Sequence, residues 1–547
     1  MAEFESPFTV IFTPNIRKMK ALPLFVAILM VFGACQPKDS TGQIQKTQRD
    51  TGITRANAYS TLFFDSTAME NFMAAYNAPD TARSLFRNFY SLRNFQYAWF
   101  DTTGMAEQAQ NFWNLQENYL AYSGDSSIYS PFLQGWLDSV RNNGPAMVPD
   151  SLRQKVEWAL TFQFFRYAAK AYSGDRKLDV RNLDWFIPRR KVDITAMLDT
   201  LVKDKGKSIS SYEPVHPQYN LLREQLQRYD AIQKQGGWST LAPKQKKYAE
   251  GDSLNDIRQI KHRLFMTGDL KTEDTTAVFD AALTSAVKNF QRRYGLKEDG
   301  TVGGGTLAEM NRPIDIRIRQ IIVNMERIRW VPTQPAGDYI LVNIPTFKLF
   351  VYENGKQAFN MNVVVGTSQN STVIFTGKLQ HVVFSPYWNI PPGILNKEVL
   401  PGIKRNSNYL ASHNMEWNGG HVRQKPGPKN SLGLVKFLFP NSYNIYLHDT
   451  PSKSLFNENK RAFSHGCIRV SEPKKLAQWI LRNEQAWTET AIDNAMNSGK
   501  EKYVNIKQDI QVFIGYFTAY VDREGNMNFR DDIYGHDKKM VKKMFGK

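Results

Sequence analysis

The chain has 547 residues, which suggests about three to four domains because single hydrophobic cores stop growing well below that length. A composition of 42% hydrophobic and 22% charged residues excludes a mostly disordered chain. The formal net charge of +18 would attract polyanions, but no nucleic-acid-binding motif accompanies it, so we predict no nucleic-acid partner.

The amino-terminal residues have the layout of an export signal. From Met19 to Cys35, a lysine is followed by an apolar run, and two small residues precede the cysteine. The run is shorter than the roughly 20 residues that a membrane-spanning helix needs. We therefore predict a signal peptide over residues 1–35, with the true start at Met19, and a flexible polar tether over residues 36–60.

The residues around Cys35 resemble a bacterial lipobox, in which the cysteine carries lipid. The alternative is a cleaved signal with an unrelated cysteine. The resemblance implies a lipid-anchored protein that faces the periplasm, and Gln36, where an aspartate would favour the inner membrane, favours the outer one. The chain has two cysteines, so Cys467 would then have no disulfide partner. A lone thiol in an oxidising compartment is a candidate nucleophile.

The next segments predict helices. Apolar residues recur at helical spacing over residues 61–240, as in Val156, Leu160 and Phe164, which indicates an all-α domain. Over residues 250–312 the apolar pattern predicts three short amphipathic helices joined by glycine turns. A basic helix in the linker 313–336 follows.

The three-helix segment resembles a small peptidoglycan-binding module. Pairs such as Phe290-Gln291, Gly295-Leu296 and Asp299-Gly300 carry the resemblance. It implies binding to peptidoglycan glycan. The alternative is that these positions only form a core.

Residues 337–500 predict a β-rich domain. Apolar residues alternate from Tyr339 to Tyr352, and Gly355 follows at a turn, which is typical of a β-hairpin. We expect residues 501–547 to pack on the helical or the β-rich domain. The predicted fold class is therefore α+β, in several domains.

Cys467 and His448 form the candidate catalytic pair. A thiol attacks as its thiolate, so a nearby imidazole must take the proton. Asp449 could orient that imidazole by its backbone carbonyl or its carboxylate. Main-chain N–H groups around Gly466 and Cys467 are natural oxyanion donors. These residues predict a cysteine acyltransferase or hydrolase of unknown substrate.

A metal site is the chemical alternative. Cys467, His465 and His448 could ligate zinc, but the sequence offers no clear fourth ligand and neither a CxxC nor an HExxH motif. We therefore predict no metal and no cofactor.

The motif around the cysteine resembles the L,D-transpeptidase catalytic domain (YkuD-type). The resemblance rests on His448, a gap, and then Ser464-His465-Gly466-Cys467 with Arg469. It implies that Cys467 attacks a tetrapeptide stem, releases D-alanine and passes the acyl group to an amine on a neighbouring stem. It implies that His448 is the general base, that Ser464 and His465 shape the site, that Gly466 contributes to the oxyanion pocket, and that Arg469 meets a substrate carboxylate.

The resemblance also covers the rest of the chain. It implies a substrate-cleft strand containing Tyr387, Trp388 and Asn389, a lid over residues 393–445, a helical scaffold domain, and acylation of Cys467 by carbapenem-type β-lactams. A passive surface insertion is the alternative to the lid. An L,D-carboxypeptidase or a non-catalytic, peptidoglycan-tethering lipoprotein are the alternatives for the whole protein, which we expect to be a monomer.

Overall fold

The computed structural model describes the larger part of the chain. The described residues are 60, 62–76, 80–123, 128–143, 148–174, 178–187, 193–207, 216–242, 244–332 and 337–546. The predicted signal peptide, Cys35 and nearly all of the predicted tether lie outside this set. None of the helices within it has the length and apolar character needed to cross a membrane.

Six helices and a short hairpin form the amino-terminal helical domain of the described chain. They are α1 (Ser66–Ala75), α2 (Asp80–Leu92), β1 (Phe100–Asp101), β2 (Gly104–Met105), α3 (Glu107–Ser123), α4 (Pro131–Asn143), α5 (Asp150–Ser173) and α6 (Ile194–Lys203). Aspartates begin two of these helices: Asp65 accepts a hydrogen bond from the Thr67 N–H at 2.6 Å, and Asp193 accepts one from the Ala196 N–H at 2.9 Å. The helices bury one core rich in aromatic rings, with α5 contributing the largest share.

The next helix, α7 (Pro217–Lys234), packs with the module that follows it. Its buried residues Tyr219, Leu222 and Leu226 join the module core. The module contains β3 (Lys247–Tyr248), α8 (Asp256–Thr267), α9 (Ala281–Arg293), β4 (Val302–Gly303) and α10 (Gly304–Met310). The core of the first helical domain thus ends before the predicted limit at residue 240.

Helix α11 (Ile314–Trp330) is central, whereas the sequence predicts only a linker there. Three of its four arginines are buried, and Arg329 donates to Glu326 at 2.6 Å and to the Tyr219 hydroxyl at 2.6 Å. Its apolar residues divide between two cores, that of the module and that of the β-rich domain. The helix therefore joins these units by buried contacts.

Sixteen strands follow in the described part of residues 337–546. They are β5 (Asp338–Asn343), β6 (Lys348–Glu353), β7 (Lys356–Gly366), β8 (Phe375–Lys378), β9 (His381–Phe384), β10 (Trp388–Asn389), β11 (Met415–Asn418), β12 (His421–Gln424), β13 (Val435–Leu438), β14 (Leu447–His448), β15 (Ala462–Ser464), β16 (Ile468–Val470), β17 (Lys502–Asn505), β18 (Ile510–Gly515), β19 (Ala519–Val521) and β20 (Met527–Phe529).

Eleven of these strands pair into one sheet. Its order is β17, β9, β13, β14, β16, β7, β6, β5, β18, β8, and β15 pairs with β7. Neighbours are antiparallel except that β14 runs parallel to β16, β5 to β18 and β15 to β7. The parallel pair β14 and β16 is what brings the two predicted catalytic residues together.

The remaining helices of this region are short. They are α12 (Pro392–Ile394), a π-helical turn (Leu395–Val399), α13 (Leu400–Arg405), α14 (Tyr409–Ser412), α15 (Pro473–Ile480), α16 (Glu489–Asn497) and α17 (His536–Phe545). Residues of α15 and α16, such as Leu476, Ile480 and Ile492, pack in the main core against one face of the sheet. The opposite face carries the polar residues of the site.

The predicted lid has its own small core, but its predicted end is wrong. Strands β10, β12 and β11 form a separate sheet, and Ile390, Val399 and Val422 are buried together. The segment 435–438, however, is β13 of the central sheet, where it pairs with β9 and β14. The insertion therefore ends near residue 434 and not at residue 445.

The carboxyl-terminal segment completes the fold. Strands β17 and β18, which lie beyond the predicted domain end at residue 500, pair within the central sheet. The hairpin of β19 and β20 packs in the module core, and Asp537 of α17 pairs with the buried Arg327 at 2.5 Å. The predicted α+β multidomain fold class is confirmed.

Candidate active site

Strand pairing places the predicted base and nucleophile on the same face. In the parallel pair, Leu447 lies opposite Ile468, and both are buried in the main core. His448 lies opposite Arg469, and Cys467 comes immediately before β16. Since side chains alternate along a strand, His448, Cys467 and Arg469 lie on the face opposite that core.

The backbone carbonyl of Asp449 orients the imidazole of His448. His448 Nδ1 lies 2.5 Å from the Asp449 carbonyl oxygen. A carbonyl can only accept, so Nδ1 carries the hydrogen and Nε2 keeps a free lone pair. The Asp449 carboxylate instead accepts from the N–H groups of Leu434 at 2.8 Å and Thr450 at 2.7 Å, and from Lys453. Of the two predicted possibilities, the structure has the carbonyl.

Burial keeps both members of the pair neutral. It lowers the pKa of His448 to about 3, with Arg469 and Lys436 adding to the effect while the bond to Asp449 opposes it. Burial also raises the pKa of the half-buried Cys467 thiol. The thiol contacts the Asn444 carbonyl oxygen at 3.4 Å. Neutral thiol and neutral imidazole are therefore the resting forms.

A tight turn precedes the nucleophile. The Ser464 hydroxyl donates to the Cys467 carbonyl at 2.5 Å and accepts from the Gly466 N–H at 3.2 Å. Gly466 has a φ of +115°, a region that favours glycine. Thr372 Oγ1 donates to the Gly466 carbonyl at 2.8 Å. The Gly466 N–H is used within the turn, so its oxyanion role stays a prediction that requires this bond to open.

His465 lies at the surface beside the insertion. Its Nε2 is 3.7 Å from the Glu398 carboxylate, and both side chains are more than half exposed. Among the described residues, no three His, Cys, Asp or Glu side chains come together as metal ligands.

Tyr387 lies between the sheet face and the insertion. Its N–H donates to Glu501 at 2.9 Å, and its carbonyl accepts from Lys436 at 3.4 Å. The guanidinium of Arg423, from β12, stacks 3.9 Å from the centre of its ring. Three contacts from three segments thus hold this residue.

The other two predicted cleft residues belong to the small sheet of the insertion. Trp388 pairs with Gln424 and packs against the insertion core, whereas Asn389 pairs with Arg423 and is exposed. They lie where β10 leads away from the central sheet.

Arg469 lies beside the base and forms no ion pair with another described residue. It is half-buried, and its Nε is buried with no hydrogen-bond partner in the described structure. Burial lowers the pKa of its guanidinium, and the nearby Cys467 opposes that change. A guanidinium in this position can receive a carboxylate.

Several residues of the site were not predicted. Tyr446, whose hydroxyl interacts with the Cys467 thiol, could have been found because it precedes His448 by two positions, just before β14. Asn444, Thr372 and Lys436 give no such signal, since their places depend on strand pairing and turn geometry.

Family models match three parts of the chain. Residues 337–493 match the L,D-transpeptidase catalytic domain (YkuD), residues 84–226 match a scaffold domain, and residues 253–310 match a model described as "Putative peptidoglycan binding domain".

One curated relative is a Haemophilus influenzae protein named "Putative L,D-transpeptidase". It is 36% identical over 243 residues, which cover 41% of this chain and 49% of that protein. The chain thus spans about half the length of this relative.

Solved structures of L,D-transpeptidases also overlap with the chain. One from Xylanimonas cellulosilytica is 15% identical, with a TM-score of 0.18, and covers 50% of this chain and 100% of its own. One from Stackebrandtia nassauensis is 14% identical, with a TM-score of 0.21, and the match covers 50% of this chain and 98% of that structure. Scores this low add nothing to the family matches. The predicted resemblance is confirmed by those matches: residues 337–493 match the L,D-transpeptidase catalytic domain (YkuD), and the curated relative is named for the same activity.

Proposed function

We propose that the chain is an L,D-transpeptidase that cross-links peptidoglycan stem peptides through an acyl-enzyme on Cys467. The observation that carries the proposal is the parallel pairing of β14 with β16. It sets His448, with its tautomer fixed by the Asp449 carbonyl, on the same face as Cys467. A nucleophile, an oriented base and a neighbouring guanidinium are the parts that acyl transfer from a peptide requires.

The first half-reaction forms a thioester. Nε2 of His448 takes the thiol proton while sulfur attacks the carbonyl carbon that precedes the terminal D-alanine. The Cys467 N–H stabilises the resulting oxyanion. As the intermediate collapses, the C–N bond breaks and the imidazolium gives its proton to the alanine amine.

The second half-reaction reverses these roles. An amine of a neighbouring stem loses a proton to His448 and attacks the thioester. The C–S bond then breaks, and the sulfur leaves as a thiolate that recovers the proton from the imidazolium. If water attacks instead, the same site acts as an L,D-carboxypeptidase.

We also propose that the protein works at the cell envelope, where it is anchored by lipid at Cys35 and faces the periplasm. The outer membrane is favoured over the inner one as the anchoring membrane. The support is the signal-like sequence from Met19 to Cys35, which lies outside the described residues. The match of residues 253–310 supports a contact between that module and peptidoglycan. The resemblance further supports carbapenem-type β-lactams as acylating agents of Cys467.

The test is to incubate purified protein with disaccharide-tetrapeptides and to separate the products. We expect a cross-linked dimer and free D-alanine from the wild type and neither from Cys467→Ala. Tripeptide without dimer would replace the proposal with a carboxypeptidase. Unchanged substrate with wild-type protein would favour a non-catalytic tethering protein.

A further inference from the structure

Three neighbouring strands set two cations on either side of the predicted base. Lys436 of β13 pairs with His448 of β14, and His448 pairs with Arg469 of β16. Paired positions in adjacent strands have their side chains on the same face. No sequence pattern singles out Lys436, because its place depends on the pairing of β13.

Lys436 is a buried cation whose contacts are long. Its side chain is 11% exposed, and Nζ lies 3.4 Å from the Tyr387 carbonyl and 3.6 Å from the Glu501 carboxylate. That carboxylate oxygen also accepts the Tyr387 N–H at 2.9 Å. Buried charges are normally paired closely, so Lys436 retains capacity for another anion.

The other charged groups near His448 offset these cations only in part. Lys453 bonds the Asp449 carboxylate, which already accepts two backbone N–H groups. Glu501 interacts with Lys436, and Cys467 and Tyr446 are neutral side chains in the resting site. The base therefore lies in a mainly cationic environment.

Resting on the proposed function, we propose that Lys436 and Arg469 together receive one carboxylate of the donor peptide beside His448, so that the base becomes effective when an anionic donor is bound. The bound carboxylate offsets both positive charges. The positive imidazolium that forms when Nε2 takes the thiol proton is then less disfavoured. Sulfur attacks the donor carbonyl as described above, and Lys436 keeps its proton throughout.

The experiment compares Lys436→Met, Lys436→Arg and a control, Lys378→Met, with the wild type. Lys378 lies on β8 at the far edge of the same sheet and is about half exposed. The donors are a tetrapeptide and two analogues, each with a different carboxylate converted to an amide. The readouts are kcat and KM for formation of the acyl-enzyme, and the pH profile of kcat/KM.

We expect Lys436→Met to lower kcat/KM for the unmodified donor at least tenfold, mainly through KM. For one of the two analogues, Lys436→Met and wild type should agree within twofold, because the carboxylate that Lys436 receives is gone. Lys436→Arg should retain most activity, and Lys378→Met should behave as wild type. Loss of the positive charge should move the acid limb of the profile to higher pH.

Two results would overturn the inference while leaving the proposed function intact. One is an equal loss on all three donors with an unmoved acid limb, which would indicate a structural role. The other, which needs no variant, is a wild type that uses all three donors equally well. A wild type that forms no acyl-enzyme with any donor would instead contradict the proposed function.

Discussion

Gly433 lies against the side chain of Asp449, the residue whose carbonyl orients His448. Its φ is +62°, and a Cβ added there would lie 2.3 Å from the Asp449 carboxylate. That carboxylate holds Asp449 in place, and the Asp449 carbonyl orients His448. We predict that Gly433→Ala lowers the free energy of unfolding by more than about 1 kcal/mol and lowers acyl-enzyme formation with it. Denaturant titration and a rate assay measure the two effects.

Gly525 provides the matched control. Its φ is +81°, and no atom lies within 4 Å of an added Cβ. Gly525→Ala therefore has the same cost of a positive φ but no steric clash with a neighbouring side chain. It should leave the rate of acyl-enzyme formation unchanged. Equal rates for Gly433→Ala and Gly525→Ala would contradict a requirement for this close approach.

Glu157 is a buried carboxyl group in α5. It accepts from the Ala98 N–H at 2.6 Å, the Trp99 N–H at 2.9 Å and the Tyr90 hydroxyl at 2.7 Å. Burial raises its pKa from 4.5 to about 7. The folded state thus holds a proton that the unfolded state has lost between these pH values. The contribution of Glu157 to the free energy of unfolding is fully present below pH 4.5. About 3 kcal/mol of this contribution is lost as the pH rises to 7.

The corresponding prediction is that Glu157→Gln flattens the decline of unfolding free energy between pH 4.5 and pH 7. Urea denaturation across this range, with hydrogen exchange of the α5 amides, measures it. Glu107→Gln, at an exposed position of α3, is the control and should keep the wild-type slope. An unchanged slope in Glu157→Gln would contradict the assignment.

At the scale of elements, Arg423 connects the insertion to the cleft. It stacks on Tyr387 and pairs with Glu416 at 2.7 Å. A cation–π contact contributes about 0.5–2 kcal/mol, so we predict that Arg423→Ala raises KM for the donor roughly three- to tenfold and changes kcat little. Lys425→Ala, which removes a cation paired with the same Glu416 at 3.1 Å, should change neither. An unaltered KM in Arg423→Ala would mean that the insertion does not help to hold substrate.

Helices of the small module and the β-hairpin were predictable because their signals are local. Asp280 accepts from the Leu283 N–H at 2.8 Å at the start of α9, and Gly268 ends α8 with a φ of +80°, as side-chain chemistry alone suggests. The end of the insertion was not predictable in this way. The alternating apolar residues Val435 and Phe437 predict a short strand but do not show which sheet it joins. Only their pairing with β9 assigns them to the central sheet.

At the scale of the molecule, the sequence predicts a basic helix within a linker where the structure has the central helix α11. The partners of two of its arginines are far away in the chain: Asp537 for Arg327, and Tyr219 for Arg329. A pattern within the helix cannot reveal partners that distant. The catalytic motif, by contrast, is compact in sequence, which is why Cys467 and His448 could be singled out.

The pair of Arg327 and Asp537 should stabilise the assembly of units. Arg327 is 1% exposed, and removing one partner would leave the other charge buried, which costs about 3–5 kcal/mol. We predict that Arg327→Met lowers the thermal midpoint of the whole chain. The control is Arg319→Met, on the same helix, whose partner Asp315 lies 3.4 Å away in a more exposed pair. Equal midpoints for the two variants would contradict a central role for α11.

The most direct test of the account is the mass of the intact protein during reaction with a tetrapeptide donor, followed by peptide mapping. We predict a transient adduct on Cys467 equal to the donor without its terminal alanine. It should be absent in Cys467→Ala and should form at least about a hundredfold more slowly in His448→Gln. An adduct that persists in Cys467→Ala, or a wild-type protein that turns over donor without acylation of Cys467, would contradict the central claim.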